Sequence, residues 1–431
     1  MAVRKSPFDL QTCARPNILA LEPYRCARDD YKDDGTNILL DANENAYGPS
    51  LSLNGSAKPS SSSNDPSIDF LGLNRYPDPH QHDLKQLLCN LRNTHARTSK
   101  NITPENLFVG VGSDEAIDAL LRCFCVPGKD KILVCPPTYG MYSVSAQVND
   151  VGLVKVPLLA APEFGIDVPA ITSTLSSPEA STIKLLYICS PGNPTGSLIK
   201  KEDVQQVLEH PTWNGVVVLD EAYIDFAPEG SSLAEWVAEW PNLVVLQTLS
   251  KAFGLAGIRL GAAFTSPPIA ALLNNLKAPY NVSSPTSAIA SQALQEGGGL
   301  SVMRKNRSYI LAQRDRLLTE LPKVKGVGRF RGGKASNFLL VEILDTHGKP
   351  DNVTALKVYE RLAENRGVVV RFRGKEHGCL GCLRITVGTE PEVTRFLKEI
   401  DAVISQVHSE DAKKNGAVEE KKEQSANGVI A

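Results

Sequence analysis

Apolar positions along this chain follow two rhythms. Between residues 131 and 250, four short runs rich in β-branched residues stand out: KILVC at 131–135, IKLLYICS at 183–190, VVVLDEAY at 216–223 and NLVVLQTLS at 242–250. Stretches of helical length separate them. Strands apolar at consecutive positions are covered on both faces, whereas strands with one wet face alternate. The runs therefore predict an α/β fold, a large domain whose mostly parallel central sheet is covered by helices. Residues 110–124, GVGSDEAIDALLRCF, switch to the helical rhythm, with Ile117, Leu120, Leu121 and Phe124 on one face and Ser113 placed to cap the start. From about residue 290 the order changes to a long charged helix in LSVMRKNRSYILAQRDRLLTEL, a strand in NFLLVEI, a helix in ALKVYERLAENRG and strands in VVVRF and CLRITVG. That succession predicts a smaller α+β C-terminal domain.

Two stretches lack a periodic apolar face. SLSLNGSAKPSSSSNDPS, residues 50–67, holds eight serines and reads as a flexible surface insertion. The segment beyond His408 carries nine charges between residues 410 and 423, four basic and five acidic. It is expected to be a solvated, disordered tail, with a short salt-bridged helix as the alternative. The expected divisions are an N-terminal arm at 1–48, the insertion at 49–70, the large domain at 71–289, the small domain at 290–408 and the tail at 409–431.

Composition narrows the ligand. With 42% hydrophobic and 22% charged residues among 431, the chain is globular in composition and long enough for both domains. A formal charge of -2 and a pI near 6.4 give no basic footprint for nucleic acid or an anionic membrane. No apolar run approaches the length of a bilayer span. The expected partners are small molecules. MAVRKSPFDLQTCARPN at the start lacks the apolar core of a secretory signal, so the nine cysteines are expected to be free thiols, and the cytoplasm is the expected location. Cys379 and Cys382 form a C-x-x-C after His377, but no second Cys/His pair at ligand spacing completes a zinc site, and no metal is expected.

Candidate chemistry gathers at the predicted strand ends, where open α/β sheets bind ligands. The glycine-rich turn before Ser113 feeds a helix start, whose free N–H groups and positive dipole end suit a phosphate. Asp114 and Glu115 follow in the first turn, so contact there falls to backbone amides and the Ser113 hydroxyl. Asn193 in CSPGNPTGS sits at a strand-to-turn junction from which an amide can reach a cleft. Asp220 ends a buried strand, where a carboxylate needs a cation or dense hydrogen bonding, and Tyr223 follows three residues later. In QTLSKAFGLAGIRLG, Thr248 and Ser250 precede Lys251, and Arg259 closes the loop. An amine in a partly apolar cleft near another cation has its neutral, nucleophilic form favoured, and a planar guanidinium suits a phosphate. Taken singly, these are a capped helix, a turn, a structural salt bridge and a surface Ser-Lys pair.

Taken together and in this order, the motifs resemble the fold-type I aminotransferases that use pyridoxal 5'-phosphate, over about residues 35–405. The resemblance implies that Lys251 carries the cofactor. It also implies that Arg259, Ser250 and Thr248 anchor the cofactor phosphate with Ser113, Asp114 and Glu115 of the helix start. Asp220 would pair with the pyridine nitrogen, Tyr223 and Asn193 with the ring hydroxyl, and Tyr139 of PPTYGMYS would stack on the ring. Arg384 of CLRITVG would hold the substrate's anion. LLDANENAYGP, NRYPDPHQHDLKQLL and GCLRITVGT are further similar to a branch of that family acting in histidine biosynthesis. That branch interconverts histidinol phosphate plus 2-oxoglutarate with imidazole-acetol phosphate plus glutamate. The likeness implies substrate contacts by Asn43 and Tyr47 and a second cation from Arg371, with Arg373 as the alternative. It further implies a homodimer in which Tyr76 meets the cofactor phosphate of the neighbouring subunit. A broad aromatic aminotransferase and a phosphothreonine decarboxylase-like lyase share the scaffold and stay open.

Overall fold

The protein's structure, a computed structural model, describes residues 6–22 and 72–427. The serine-rich insertion, Asn43 and Tyr47 lie outside the described residues. In spatial order the large sheet runs β1 (Leu107–Val111), β7 (Leu260–Thr265), β6 (Leu243–Thr248), β5 (Val216–Asp220), β4 (Ile183–Cys189), β2 (Lys131–Val134) and β3 (Gly152–Lys155). Strands β2 to β6 pair in parallel, and β7 lies antiparallel between β6 and β1. Consecutive residues serve opposite faces, as a period of two requires. Val216, Val218, Val244 and Leu246 pack with Ile117, Leu120 and Phe124. Val217, Leu219, Leu243 and Val245 pack instead with Leu84 and Leu88 of the helix His82–Arg92. Both faces are dry, which is why these runs are apolar without alternation.

The helix after β1 begins at Gly112 and ends at Phe124, with Val111 as its N-cap. Ser113 is therefore inside the first turn and not the cap. The Glu115 carboxylate accepts the Val111 N–H in its place. Strand β7 crosses close beneath this turn: a Cβ on Gly261 would fall 2.2 Å from the Ser113 nitrogen, so only glycine fits there.

In the small domain, an antiparallel sheet runs β10 (Arg371–Phe372), β11 (Cys382–Thr386), β9 (Phe338–Ile343) and β8 (Val327–Phe330). Leu339, Val341, Ile343, Leu383 and Ile385 pack on helices Asn352–Arg366 and Glu390–Asn427, giving the expected α+β layer. VVVRF yields only two strand residues. Strand β10 has a neighbour on one side alone, and Val369 is 77% exposed. The last helix passes His408 and continues to Asn427, so residues given to the tail are helical. Its extension is tied back where Asp411 pairs with Lys357 and Glu410 with Arg361. Cys379 and Cys382 are buried in the core, and burial pushes the Cys379 thiol up to about 12. Among the described residues, no helix is long and apolar enough to cross a membrane.

The domains meet beside the strand ends. Tyr223 and Ala252 of the large domain form one apolar cluster with Leu300, Met303 and Phe338. Gly333 N–H donates to the Thr195 carbonyl and Ala335 N–H to that of Gly196, each at 3.0 Å. The loop carrying Asn193 is thereby sewn to the segment entering β9.

Candidate active site

At the carboxyl ends of β1, β2, β4, β5 and β6, loops surround a cavity of ≈ 690 Å³, part of it open to solvent. Its floor is Asp220, the last residue of β5 and only 2% exposed. One carboxylate oxygen accepts the Tyr142 hydroxyl at 2.5 Å and the other the Ala222 N–H at 3.0 Å. Burial pushes this carboxyl above its ordinary range, while the two hydrogen bonds oppose the shift by favouring the ionised form. Among the described residues no cation stands within 4.0 Å of it, so the carboxylate has room for a positive partner from the cavity.

Lys251 follows β6 and stands open to the cavity, its Nζ 5.5 Å from the centre of the Tyr223 ring. Desolvation by the surrounding walls, then the positive charge of Arg384, lower its pKa. Both effects raise the share of neutral amine.

A second wall is rich in donors. Arg259 adopts a left-handed backbone at φ +54°, and its guanidinium lies 3.5 Å from Asp114. A Cβ on Gly112 would fall 2.8 Å from Nη2 of that guanidinium, so the glycine makes room for it. The Thr248 hydroxyl lies 2.9 Å from that of Ser250, and Gly112 N–H donates to the Arg259 carbonyl at 3.0 Å. Asp114 is occupied by Arg259 and by the Tyr139 hydroxyl at 3.1 Å, which offsets its charge near the helix start. Glu115 does not join this wall. Its carboxylate turns back onto Val111 N–H and Asn281, so the helix start uses that side chain as a cap. A first-turn acid carries no sign in sequence of which way it will turn.

Across the cavity, the Asn193 side-chain oxygen Oδ1 accepts from two guanidiniums, Arg384 Nη1 at 2.6 Å and Arg373 Nη2 at 2.9 Å. Arg384 lies over the Phe338 ring at 5.2 Å, and Phe338 meets Tyr223 edge-on at 5.1 Å. The Nε–H groups of Arg373 and Arg384 are both buried and lack a partner. Arg371 is directly opposite Arg384 in the β10–β11 ladder but exposed, so Arg373 is the residue brought to Asn193.

The aminotransferase class I and II family matches residues 36–400. The chain belongs to that family. A histidinol-phosphate aminotransferase of Schizosaccharomyces pombe is 52% identical over 404 residues, covering 93% of this chain and 99% of its own. One of Candida maltosa is 52% identical over 405 residues, covering 93% and 100%. A solved histidinol-phosphate aminotransferase from Sinorhizobium meliloti, in complex with pyridoxal-5'-phosphate, is similar with a TM-score of 0.67 at 25% identity, over 77% of this chain and 83% of that one. Class I and II aminotransferases are pyridoxal-phosphate enzymes, and pyridoxal 5'-phosphate is the cofactor here.

Two residues beside Asp220 in this aminotransferase are not among the residues the sequence singles out. Cys189 lines the cavity, directly beside Asp220 in the β4–β5 register. Tyr142, buried beneath Asp220, lies in the helix Met141–Val148 three residues after Tyr139, which sits in the preceding loop; a tyrosine on an apolar helix face reads equally as core. Tyr142→Phe is expected to remove the donor that favours ionised Asp220, raising that carboxyl further. Turnover should fall about tenfold, and the acid limb of the pH–rate profile should move to higher pH. An unmoved acid limb would show that this hydrogen bond does not tune the site.

Proposed function

We propose that this aminotransferase transfers an amino group between histidinol phosphate and 2-oxoglutarate, giving imidazole-acetol phosphate and glutamate, in histidine biosynthesis. The full-length identity to fungal histidinol-phosphate aminotransferases supports the reaction. The observation that carries the substrate is the convergence of two guanidiniums, Arg373 and Arg384, on the Asn193 side chain that lines the cavity. Two like charges held together call for an anion, and planar forks suit a phosphate.

The chain's own residues fit the cofactor. Pyridoxal 5'-phosphate supplies an electron sink at its ring and a phosphate handle. Lys251 would hold it covalently, Asp220 would keep a proton on its ring nitrogen, and Tyr139 would face the ring. Tyr223 and the Asn193 amide would meet the ring hydroxyl. Arg259, Ser250, Thr248 and the first-turn amides of Ser113 and Asp114 would grip the phosphate; Glu115 would contribute through backbone alone. The lowered pKa of Lys251 suits its Nζ to take a proton from the substrate carbon and return it.

Two different substrates use this site in turn. Arg384 should serve both half-reactions, while Arg373 should matter more for the phosphorylated amine. Losing one charge-assisted contact costs about 1.5–3 kcal/mol, or roughly one to two decades in catalytic efficiency. Arg384→Ala is thus expected to impair both half-reactions, and Arg373→Ala mainly that of histidinol phosphate, with Arg371→Ala the milder exposed control. Single-turnover kinetics of each half-reaction test this, and a loss confined to glutamate in Arg373→Ala would contradict it. Collection of carbon dioxide in the same runs tests the lyase alternative, for which release should accompany turnover.

The functional unit is a homodimer in the cytoplasm. Tyr76, in the segment whose likeness implies contact with a neighbouring subunit's cofactor phosphate, is 49% exposed, stacks on Tyr280 at 4.5 Å and does not line its own chain's cavity, which supports this reading.

A further inference from the structure

Asp114 and Glu115 both stand in the first turn of the helix Gly112–Phe124, yet among the described residues only Asp114 meets a cation, Arg259 at 3.5 Å. Neutral donors hold Glu115 instead. Its Oε2 accepts the Val111 N–H, and the Asn281 amide donates to Oε1 at 3.1 Å and to Oε2 at 3.2 Å. A Cβ on Gly110 would run into Oε2, so the glycine makes room for the carboxylate to lie back against β1. Burial lowers the pKa of Lys277, and the charge of Glu115 opposes that shift, but the Lys277 Nζ donates to the Pro79 carbonyl at 2.6 Å.

Asn281 is itself fixed by the sheet. Strand β1 lies at the edge of the large sheet, where outward carbonyls need partners from elsewhere. The Asn281 Nδ2 also donates to the Val109 carbonyl at 3.1 Å, and Nδ2 of Asn274, on the helix Pro267–Leu276, donates to the Leu107 carbonyl at 3.0 Å. Residues 274–281 thus follow the free edge of β1 and bring one amide to both the strand and Glu115.

A helix start has few N–H groups to offer a ligand. Here Glu115 engages that of Val111 and the Arg259 carbonyl that of Gly112, which leaves the amides of Ser113 and Asp114, two residues lining the cavity. A carboxylate turned toward that end would compete with a phosphate for these amides and repel it. We propose that Asn281 is a positioning residue: its amide keeps the Glu115 carboxylate drawn back against β1, and so protects the grip of the helix start on the cofactor phosphate. The inference rests on the helix start and Arg259 being the groups that grip this phosphate.

The test is the rate of cofactor loss from the full chain loaded with pyridoxal 5'-phosphate or with pyridoxal, which lacks the phosphate, followed by visible absorbance after dilution. In Asn281→Ala, pyridoxal 5'-phosphate should leave about tenfold faster than from wild type, and pyridoxal no more than about twofold faster. Asn281→Asp has the same size but sets a like charge against Glu115. It should lose at least as much, and it carries the test if the alanine variant does not fold. Adding Glu115→Gln to Asn281→Ala removes the released charge and should slow the loss again by about threefold, whereas a merely structural contact would make the double variant worse. Equal acceleration for both compounds, unchanged rates, or a further loss in the double variant would overturn the positioning role and leave the phosphate grip standing. Arg259→Ala separates the two readings: it should release pyridoxal 5'-phosphate at least about tenfold faster, and a wild-type rate there would overturn the phosphate grip and this inference with it.

Discussion

Lys251→Ala is expected to lose the visible absorbance of the lysine-bound cofactor and to reduce turnover by roughly 10⁴-fold or more. The effect should be this large because one nitrogen performs two tasks, attaching the cofactor and moving the substrate proton. The geometry leaves no substitute. Arg259 lies on the phosphate wall and Arg384 is committed to Asn193, and neither guanidinium can lose its proton to serve as an amine base. The measurement pairs an absorbance spectrum with a turnover assay, alongside Lys251→Arg, which keeps the charge and not the chemistry. Both variants should be inactive and spectrally changed, and wild-type spectra or rates in either would show that another group carries the cofactor.

Asp220→Ala should lower turnover by about 10²–10³-fold while the protein still retains pyridoxal phosphate. The carboxylate is buried and held by Tyr142 and the Ala222 N–H, and among the described residues no cation forms an ion pair with it, so the ring nitrogen of the cofactor would be its positive partner. Removing it leaves nothing to hold a proton on the ring nitrogen. The donor wall of Arg259, Ser250 and the helix start is more distant in the chain and should still hold the phosphate. Single-turnover proton abstraction should therefore slow far more than cofactor dissociation quickens. Asp220→Asn isolates charge from shape and should resemble the alanine variant. A normal proton-abstraction rate in Asp220→Asn would remove the electron-sink role from this residue.

Much of the scaffold was legible because burial on both faces imposes unbroken apolar runs. Strands β2, β4, β5 and β6 declare themselves in this way. Strands β1, β3 and β7 do not: LFVGV merges into the glycine turn, GLVK is a short and largely exposed edge, and LGAAFT owes its small residues to the close passage of β7 under Ser113. At the cavity, Asp220, Lys251 and Arg259 were legible because their types are costly or unusual at strand ends. Arg373 was legible only as an alternative to Arg371, since sequence does not say that β10 ends at Phe372 and leaves Arg373 in the turn facing Asn193. Glu115 and Tyr142 depend on side-chain direction, which periodicity does not fix. The tail's charges suggested solvation, but Glu410 and Asp411 find basic partners on the preceding helix.

The paired guanidiniums are expected to select an amine bearing a phosphate. The most direct test is the initial rate of glutamate formation from 2-oxoglutarate with histidinol phosphate, histidinol or phenylalanine as the amino donor, at matched concentrations. Losing the phosphate removes at least one charge-assisted contact, so kcat/KM should be at least about tenfold greater for histidinol phosphate than for histidinol, and greater again than for phenylalanine. Equal rates with histidinol or phenylalanine, or carbon dioxide release without glutamate, would contradict the account.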